Sequence, residues 1–258
     1  VNRWVEVGDG VLARRHAELD LTTGLVLGGE RALVVDTRGD AAQGAELLAA
    51  VRTVTALPLV VAITHAHFDH CFGTAALLPA PVHALPGCRA ALAATAAAQR
   101  AEWVEHYRAR GDAVTAAALL GTEPVLPDAS APAALDLGGR RADLLDLGPG
   151  HTDHDLVVHV PDAGAVFAGD LVEQGAPPSF GPDSVVPAWP ATLDALLGLR
   201  AAAVVPGHGG PVDGPFVAEQ RELLARVAEL WTSVARGEAT EAYAERVAPA
   251  RSVPWPRG

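Results

Sequence analysis

Four short apolar runs, each closed by a turn and followed by a polar loop, set the rhythm of this chain. They are Leu59-Val60-Val61-Ala62-Ile63, Leu144-Leu145-Asp146-Leu147, Ala165-Val166-Phe167-Ala168 and Ala203-Val204-Val205. Short aliphatic and β-branched runs bounded by Gly or Pro predict buried strands. Earlier strands are predicted at Trp4 to Val7 and Val11 to Arg14 around a Gly8-Asp9-Gly10 turn, and at Leu25 to Leu27 and Leu33 to Val35 around Gly28-Gly29. Asp40 caps a predicted helix running to about Val54, with Leu47, Leu48 and Val51 on its apolar side. Asp213 and Pro215 open a long helix whose Val217, Leu224, Val227, Trp231 and Val234 form a core stripe. Strands alternate with helices on both sides of residue 133, which predicts an α/β fold: two sheets with outer helices, a four-layer αββα sandwich.

The loops behind the four runs carry the candidate chemistry. They hold His65, His67, Asp69 and His70, then His151, then Asp170, then His208. If the four strands neighbour one another and point the same way, their C-terminal ends bring all seven side chains to one sheet edge. In Thr64 to His70 the two-residue period of extended chain puts His65, His67 and Asp69 on one face. His70 breaks that period and aims at a second metal beside the first. Imidazoles and carboxylates in this number suit one or two borderline transition metals, zinc first. Singly, His151, Asp170 and His208 read more often as turn or cap residues than as ligands; their order behind successive strands gives them weight.

These residues resemble the motifs of the metallo-β-lactamase-fold hydrolase superfamily. The first motif matches at His65, His67, Asp69 and His70, the second at His151, the third at Asp170 and the fourth at His208. Ala32 to Thr37 resembles the early strand that ends in an aspartate near the metals, here Asp36. The resemblance implies a first metal on His65, His67 and His151, a second on Asp69, His70 and His208, and Asp170 bridging them. It implies two Zn2+ ions, with Fe or Mn as alternatives, and a metal-bridging hydroxide as nucleophile. Asp170, and Asp69 as a proton carrier or nucleophile-orienting group, are the catalytic candidates. Asp36, His154 and Asp155 are candidates for the outer partners of the ligands.

The reaction implied is hydrolysis of an ester, lactone, thioester or amide in a small molecule. Within the family, the aspartate at 170 speaks against a true β-lactamase, and Leu171, Val172 and Glu173 replace the tyrosine often found in homoserine-lactone hydrolases. The chain has no lysine for binding glutathione carboxylates. An iron-dependent redox enzyme of the sulfur dioxygenase kind shares fold and ligands, although His67 stands where diiron oxidoreductases usually carry Glu. A phosphodiesterase or nuclease, a β-lactam hydrolase and a non-catalytic metal protein complete the alternatives.

The 258 residues contain no linker or repeat, so one domain spanning 1–258 is expected, with a helical insertion at about 86–127. Two Ala-rich helices are predicted there, Arg89 to Ala109 and Asp112 to Leu120, separated by Gly111. They form either a lid over the metal edge or a layer packed on a sheet; Trp103 and Tyr107 line a pocket in the first case and a core stripe in the second. The proline-rich segment Gln174 to Ala188, with Phe180, is a candidate pocket wall. Cys71 and Cys88 are expected to be buried free thiols. A balance of 19 basic against 31 acidic residues, net −12, disfavours nucleic acid. No run approaches the roughly 18 apolar residues of a membrane span. A cytoplasmic protein is expected, with a removed leader left open because the chain starts at Val1, and the oligomeric state is open too.

Overall fold

Strands of the first half of the chain build one sheet and strands of the second half build another. The computed structural model describes residues 1–128, 131–250 and 252–256. In the first half the order is β1 (Trp4–Gly8), β2 (Val11–Arg15), β3 (Thr22–Leu27), β4 (Ala32–Val35), α1 (Ala41–Arg52), β5 (Leu59–Ala62), α2 (Phe68–Cys71), β6 (Val82–His83), α3 (Pro86–Ala109) and α4 (Ala113–Leu120). The second half runs β7 (Ala134–Asp136), β8 (Arg141–Asp146), β9 (Leu156–Val160), β10 (Ala165–Glu173), α5 (Trp189–Gly198), β11 (Ala203–His208), α6 (Gly214–Ala235) and α7 (Glu241–Val247). The first sheet is ordered β1-β2-β3-β4-β5-β6, antiparallel to β4 and parallel beyond it. The second is ordered β11-β10-β9-β8-β7, with only β10 and β11 parallel.

Alternation along the strands explains the four layers. Leu33, Val35, Val60 and Ala62 face Leu144, Val158, Ala165 and Phe167 of the other sheet. The intervening Val34 and Val61 face outward against Leu47 and Val51 of α1 and Cys88, Leu92 and Val104 of α3. Val166, Ala168 and Val204 face the other way, onto α5 and α6. Strands covered on both faces read as unbroken apolar runs, which is why these were legible. Truncating a residue such as Leu33, which is fully buried, would cost about 2–5 kcal/mol. The Asp40 side chain accepts from the Gln43 amide (2.8 Å), and Asp213 does the same for Phe216 (3.1 Å), so both caps form.

The two-sheet sandwich agrees with expectation, but two details differ and one left open is decided. The four strands that lead into the ligand loops do not share a sheet: β5 lies in the first, and β8, β10 and β11 lie in the second. Strand and helix do not alternate after residue 133, because β7 to β10 form an antiparallel meander before α5. The helical insertion packs on a sheet: Cys88, Leu92, Val104, Tyr107, Ala116 and Leu119 share a core with α1 and the outer face of the first sheet. Among the described residues, no helix is long and apolar enough to cross a membrane.

Candidate metal centre

The seven predicted ligands meet at the seam between the two sheets. His65 and His67 lie in the loop after β5, and Asp69 and His70 lie in α2, the one-turn helix that follows. The helix begins at Phe68, so the two-residue period ends there, and Asp69 joins His70 and His208 instead of sharing the face of His65 and His67. His151 sits between β8 and β9, Asp170 lies within β10, and His208 ends β11. Ligand atoms of His65, His67, His151 and Asp170 fall within 4.8 Å of one another, and those of Asp69, His70 and His208 form a second such group.

Asp170 joins the groups. Its carboxylate lies 3.1 Å from His70 Nε2 and 3.2 Å from His208 Nε2 on one side, and 3.5 Å from His151 Nε2 and 3.8 Å from His65 Nε2 on the other. Asp69 Oδ2 stands 3.4 Å from His208 Nε2 and 3.8 Å from His70 Nε2. The centre is closed on one side and open on the other: side chains of His65, His70, His151 and Asp170 are at most 5% exposed, against 26% for His67, 17% for His208 and 12% for Asp69.

Every imidazole is anchored from outside, which assigns its tautomer. His70 Nδ1–H donates to Asp36 Oδ2 (2.8 Å). His65 Nδ1–H donates to the Thr64 hydroxyl (3.0 Å), which in turn donates to Asp36 Oδ2 (2.9 Å). His151 Nδ1–H reaches the Ser179 carbonyl (3.1 Å), and His208 Nδ1–H the Leu19 carbonyl (2.7 Å). His67 is turned the other way, its Nε2–H on Asp183 Oδ2 (3.0 Å). The five remaining nitrogens therefore present lone pairs to the same small volume. His67 Nδ1 faces His151 Nε2 at 2.9 Å and His70 Nε2 faces His208 Nε2 at 3.4 Å, repulsive contacts between acceptors unless a cation lies between them. His65 Nε2 and Asp170 Oδ1 are buried without any hydrogen-bond partner. Orphaned buried acceptors and facing lone pairs fit a metal ion, and neutral imidazoles whose outer N–H is fixed are the usual form of a histidine ligand.

The electrostatics agree. Burial opposes a charge on His70 and His208, yet Asp170 and Asp69 outweigh it, holding His70 well above its ordinary value and His208 up at about 10. The field at these nitrogens favours positive charge. Burial, aided by neighbouring imidazoles, pushes His65 well down and His151 to about 4, so both stay neutral. Burial alone would raise the Asp170 carboxyl, but His208, His70 and His65 hold it well below the usual carboxylate range.

The other sequence candidates take varied places. Asp36 touches His70, reaches His65 through the Thr64 hydroxyl, and adopts a left-handed backbone (φ 62°) that turns its carboxylate back to the Thr64 amide (2.8 Å). His154 and Asp155 touch no ligand imidazole. His154 Nε2 accepts from the Ala66 amide (3.2 Å), and Asp155 accepts from the amide and hydroxyl of Thr152 (2.9 and 2.7 Å), so they hold backbone beside the ligands. Trp103 stacks on Phe68 (centroids 4.3 Å apart), between His67 and Asp69 in sequence. Tyr107 is buried, its hydroxyl donating to Glu18 (2.6 Å). Phe180 packs on the buried Trp189 (5.4 Å), whose ring lies beside His151 (5.7 Å). Cys71 is a buried free thiol donating to the His67 carbonyl, and no ligand.

Several residues of the site carried no sequence signal. Gln99 of α3 clasps the first ligand loop, accepting from the Phe68 amide and donating to the Ala66 carbonyl, both at 2.9 Å. Leu19 and Asp20 are consecutive left-handed residues (φ 52° and 58°) whose carbonyls receive His208 Nδ1–H and the Gly209 amide. Ser179 acts through its carbonyl, and Asp183 resembles any solvated turn aspartate.

Comparison with known proteins agrees with this arrangement. Residues 19–208 match the model of the metallo-beta-lactamase superfamily. A stretch of 67 residues, 24% of this chain, is 39% identical to a metallo-beta-lactamase type 2 of Bacteroides fragilis and spans 27% of that protein. The chain thus matches only about a quarter of the curated relative's length. Among solved structures, a metallo-beta-lactamase from Pontibacter korlensis superposes with a TM-score of 0.69 at 20% identity, covering 86% of this chain and 98% of that one. The metallo-beta-lactamase FIM-1 from Pseudomonas aeruginosa, in its mono-zinc form, gives 0.62 at 22% identity, covering 88% and 94%. At these identities the structural likeness speaks for the fold alone.

Proposed function

The chain belongs to the metallo-beta-lactamase superfamily, and from that premise we propose that it is a dinuclear-zinc hydrolase acting on an ester, lactone, thioester or amide of a small molecule. The observation that carries this reading is the convergence of five outward-anchored imidazoles on Asp170 and Asp69, with one side of the cluster open. His65, His67 and His151 would hold one ion, Asp69, His70 and His208 the other, and Asp170 both. Bound there, the ions would supply a water of lowered pKa and polarise the substrate's carbonyl oxygen.

The protein's own part is positioning and proton handling. Asp36 keeps His70, and through Thr64 also His65, in the tautomer that presents Nε2 inward. The exposed edges of His67, His208 and Asp69 mark the side from which a substrate enters. Asp69 is the carboxylate on that side, placed to orient the attacking water and to deliver a proton to the leaving oxygen, sulfur or nitrogen. Asp183 adds a further acidic group at the rim, which with the net charge of −12 favours a neutral or cationic small substrate over a nucleic acid. The curated relative carries lactamase in its name, so a β-lactam, a strained amide, is one arm of the test.

Purified protein, supplemented with zinc, should contain about two metal equivalents per chain and hydrolyse at least one member of a panel of esters, lactones, thioesters, amides and β-lactams. Asp170→Ala should abolish that turnover while the fold persists. One equivalent at saturation, or undiminished turnover by Asp170→Ala, would overturn the dinuclear reading.

A further inference from the structure

The loop from residue 174 to 188, between β10 and α5, touches the first ligand group twice. Its Ser179 carbonyl takes the Nδ1–H of His151, and its Asp183 carboxylate takes the Nε2–H of His67. Two of the three histidines of that group are thus oriented by one loop. The third, His65, is oriented from the first sheet by Thr64.

The loop is fastened at several points. Ser184 Oγ donates to the His151 carbonyl (2.8 Å) and accepts from the Gly181 amide (2.9 Å), and the Val185 amide donates to the Gly150 carbonyl (2.9 Å). At its base lies Glu173, three residues after Asp170 on the same strand and 4% exposed. Its two carboxylate oxygens accept from the amide (2.7 Å) and the hydroxyl (3.0 Å) of Ser179. The Glu173 amide is itself held by Gln220 Oε1 of α6 (3.1 Å), while Gln220 Nε2 donates to the Leu171 carbonyl (2.8 Å). A buried carboxylate is costly to desolvate. Here both its oxygens are spent on the residue whose carbonyl orients His151.

We propose that Glu173 and Asp183 are positioning residues for the first metal site: Glu173 sets Ser179 so that its carbonyl orients His151, and Asp183 orients His67 directly. The proposal rests on the metal-centre reading above. The strand end that delivers Asp170 delivers the anchor of this clamp as well. Glu173 is also the register partner of His208, and the Gln174 amide donates to the His208 carbonyl (2.9 Å), so the base of the loop borders both groups while Asp183 touches an imidazole of the first alone. The imidazoles of the second group lean on other residues, His70 on Asp36 and His208 on the Leu19 carbonyl.

The test isolates each site with zinc as the probe. In a His208→Ala background only the first group is complete; in a His151→Ala background only the second is. Zinc affinity is measured in each by competition with a chromophoric chelator. Removal of an outer partner of a histidine ligand weakens metal binding by about 10–100-fold, so Asp183→Ala and Glu173→Ala should do so in the His208→Ala background. In the His151→Ala background Asp183→Ala should change affinity by less than about twofold, the scatter of independent sites; Glu173→Ala, whose residue pairs with His208, is read in the first background only. Asp183→Asn keeps an oxygen acceptor for His67 and should recover part of the loss. Equal weakening by Asp183→Ala in both backgrounds would reduce it to a general structural support, and no weakening by either variant in the first would overturn the proposal. Should Glu173→Ala unfold, Asp183→Ala carries the test, since Asp183 lies at the surface with its side chain 37% exposed. Failure of the parent to bind zinc at all would fall on the metal-centre reading instead.

Discussion

Replacing Gly207 by alanine should disable the centre with little harm to the fold. Gly207 stands in β11 just before His208, with its Cα turned toward Asp170. A Cβ there would fall 1.8 Å from Asp170 Oδ1, 3.0 Å from its Cγ and 2.9 Å from the Gly169 carbonyl carbon, where real Cβ atoms essentially never come below 3.0 Å. The difference between 1.8 and 3.0 Å requires the carboxylate oxygen to retreat by about 1.2 Å. Asp170 has little room to do so, being held between His70 Nε2 at 3.1 Å and His208 Nε2 at 3.2 Å. Overpacking of this kind costs about 1–3 kcal/mol, a fall of a few degrees per kcal/mol in the melting temperature of a chain this size. A catalytic group misplaced by about 1 Å loses on the order of 100-fold in rate, and one that should touch two ions loses an ion as well. Gly210→Ala is the matched control, because its Cβ would meet only Arg15 Nη1 and Gln174 Oε1, both at 3.8 Å. Bound zinc, kcat on the best panel substrate and thermal unfolding should be measured for parent and both variants. The reasoning is refuted if Gly207→Ala folds, binds both ions and turns over within about threefold of the parent, a change worth under 1 kcal/mol.

Trp103→Ala removes the ring stacked on Phe68 (4.3 Å) and should raise KM or reorder the substrate panel, with zinc content unchanged; identical kinetics on every substrate would leave Trp103 a packing residue only. Tyr107→Phe deletes a hydrogen bond to the half-buried Glu18 and should cost about 1 kcal/mol in urea unfolding without loss of metal, whereas lost metal would mean that the Glu18–Leu19 turn sets His208 through Tyr107. His16 is fully buried against Thr23, and burial, with Arg38 and Arg14 nearby, pushes its pKa down to about 3. Its folded pKa lies below the unfolded value near 6.5, so its share of stability is complete above that pH and is lost as pH falls toward about 3. The steepest slope is about 1.4 kcal/mol per pH unit. Urea unfolding of parent and His16→Asn between pH 7 and 4 should therefore converge as pH drops, and parallel curves would show that His16 is not the group responsible.

What could be read in the sequence divides by chemistry. Ligands must be imidazole or carboxylate, so His65, His67, Asp69, His70, His151, Asp170 and His208 stood out among ten histidines once each was seen behind an apolar run. The runs were visible because β4, β5 and β10 are covered on both faces. That same coverage hides partnership: nothing in Leu59 to Ala62 tells which of two sheets the strand joins, and the condition that the four strands neighbour one another fails at β5. The meander leaves no clear mark for a related reason. Leu156 to Val160 is as apolar as its neighbours, but the hairpin joining it to β10 turns through Pro161 to Gly164 without an Asn-Gly or Asp-Gly signal.

The supports of the site were harder to read because they recruit groups that every residue has. His151 and His208 lean on the carbonyls of Ser179 and Leu19, and a carbonyl leaves no mark in a residue name. Asp36 was legible since it ends a strand, whereas Asp183 sits in a loop of prolines and glycine where an aspartate is expected anyway. The consequence is physical. Ligands at strand ends are held by both sheets, and Asp36 and Thr64 are outer partners fixed at strand ends too; the outer partners of His67, His151 and His208 sit instead on the 174–188 loop and at Leu19, in surface segments that connect the strands. Those two segments flank the open side marked by His67, His208 and Asp69. Changes that reshape the substrate's approach would therefore alter ion affinity as well, so mutational scans of these loops should read zinc binding and KM together.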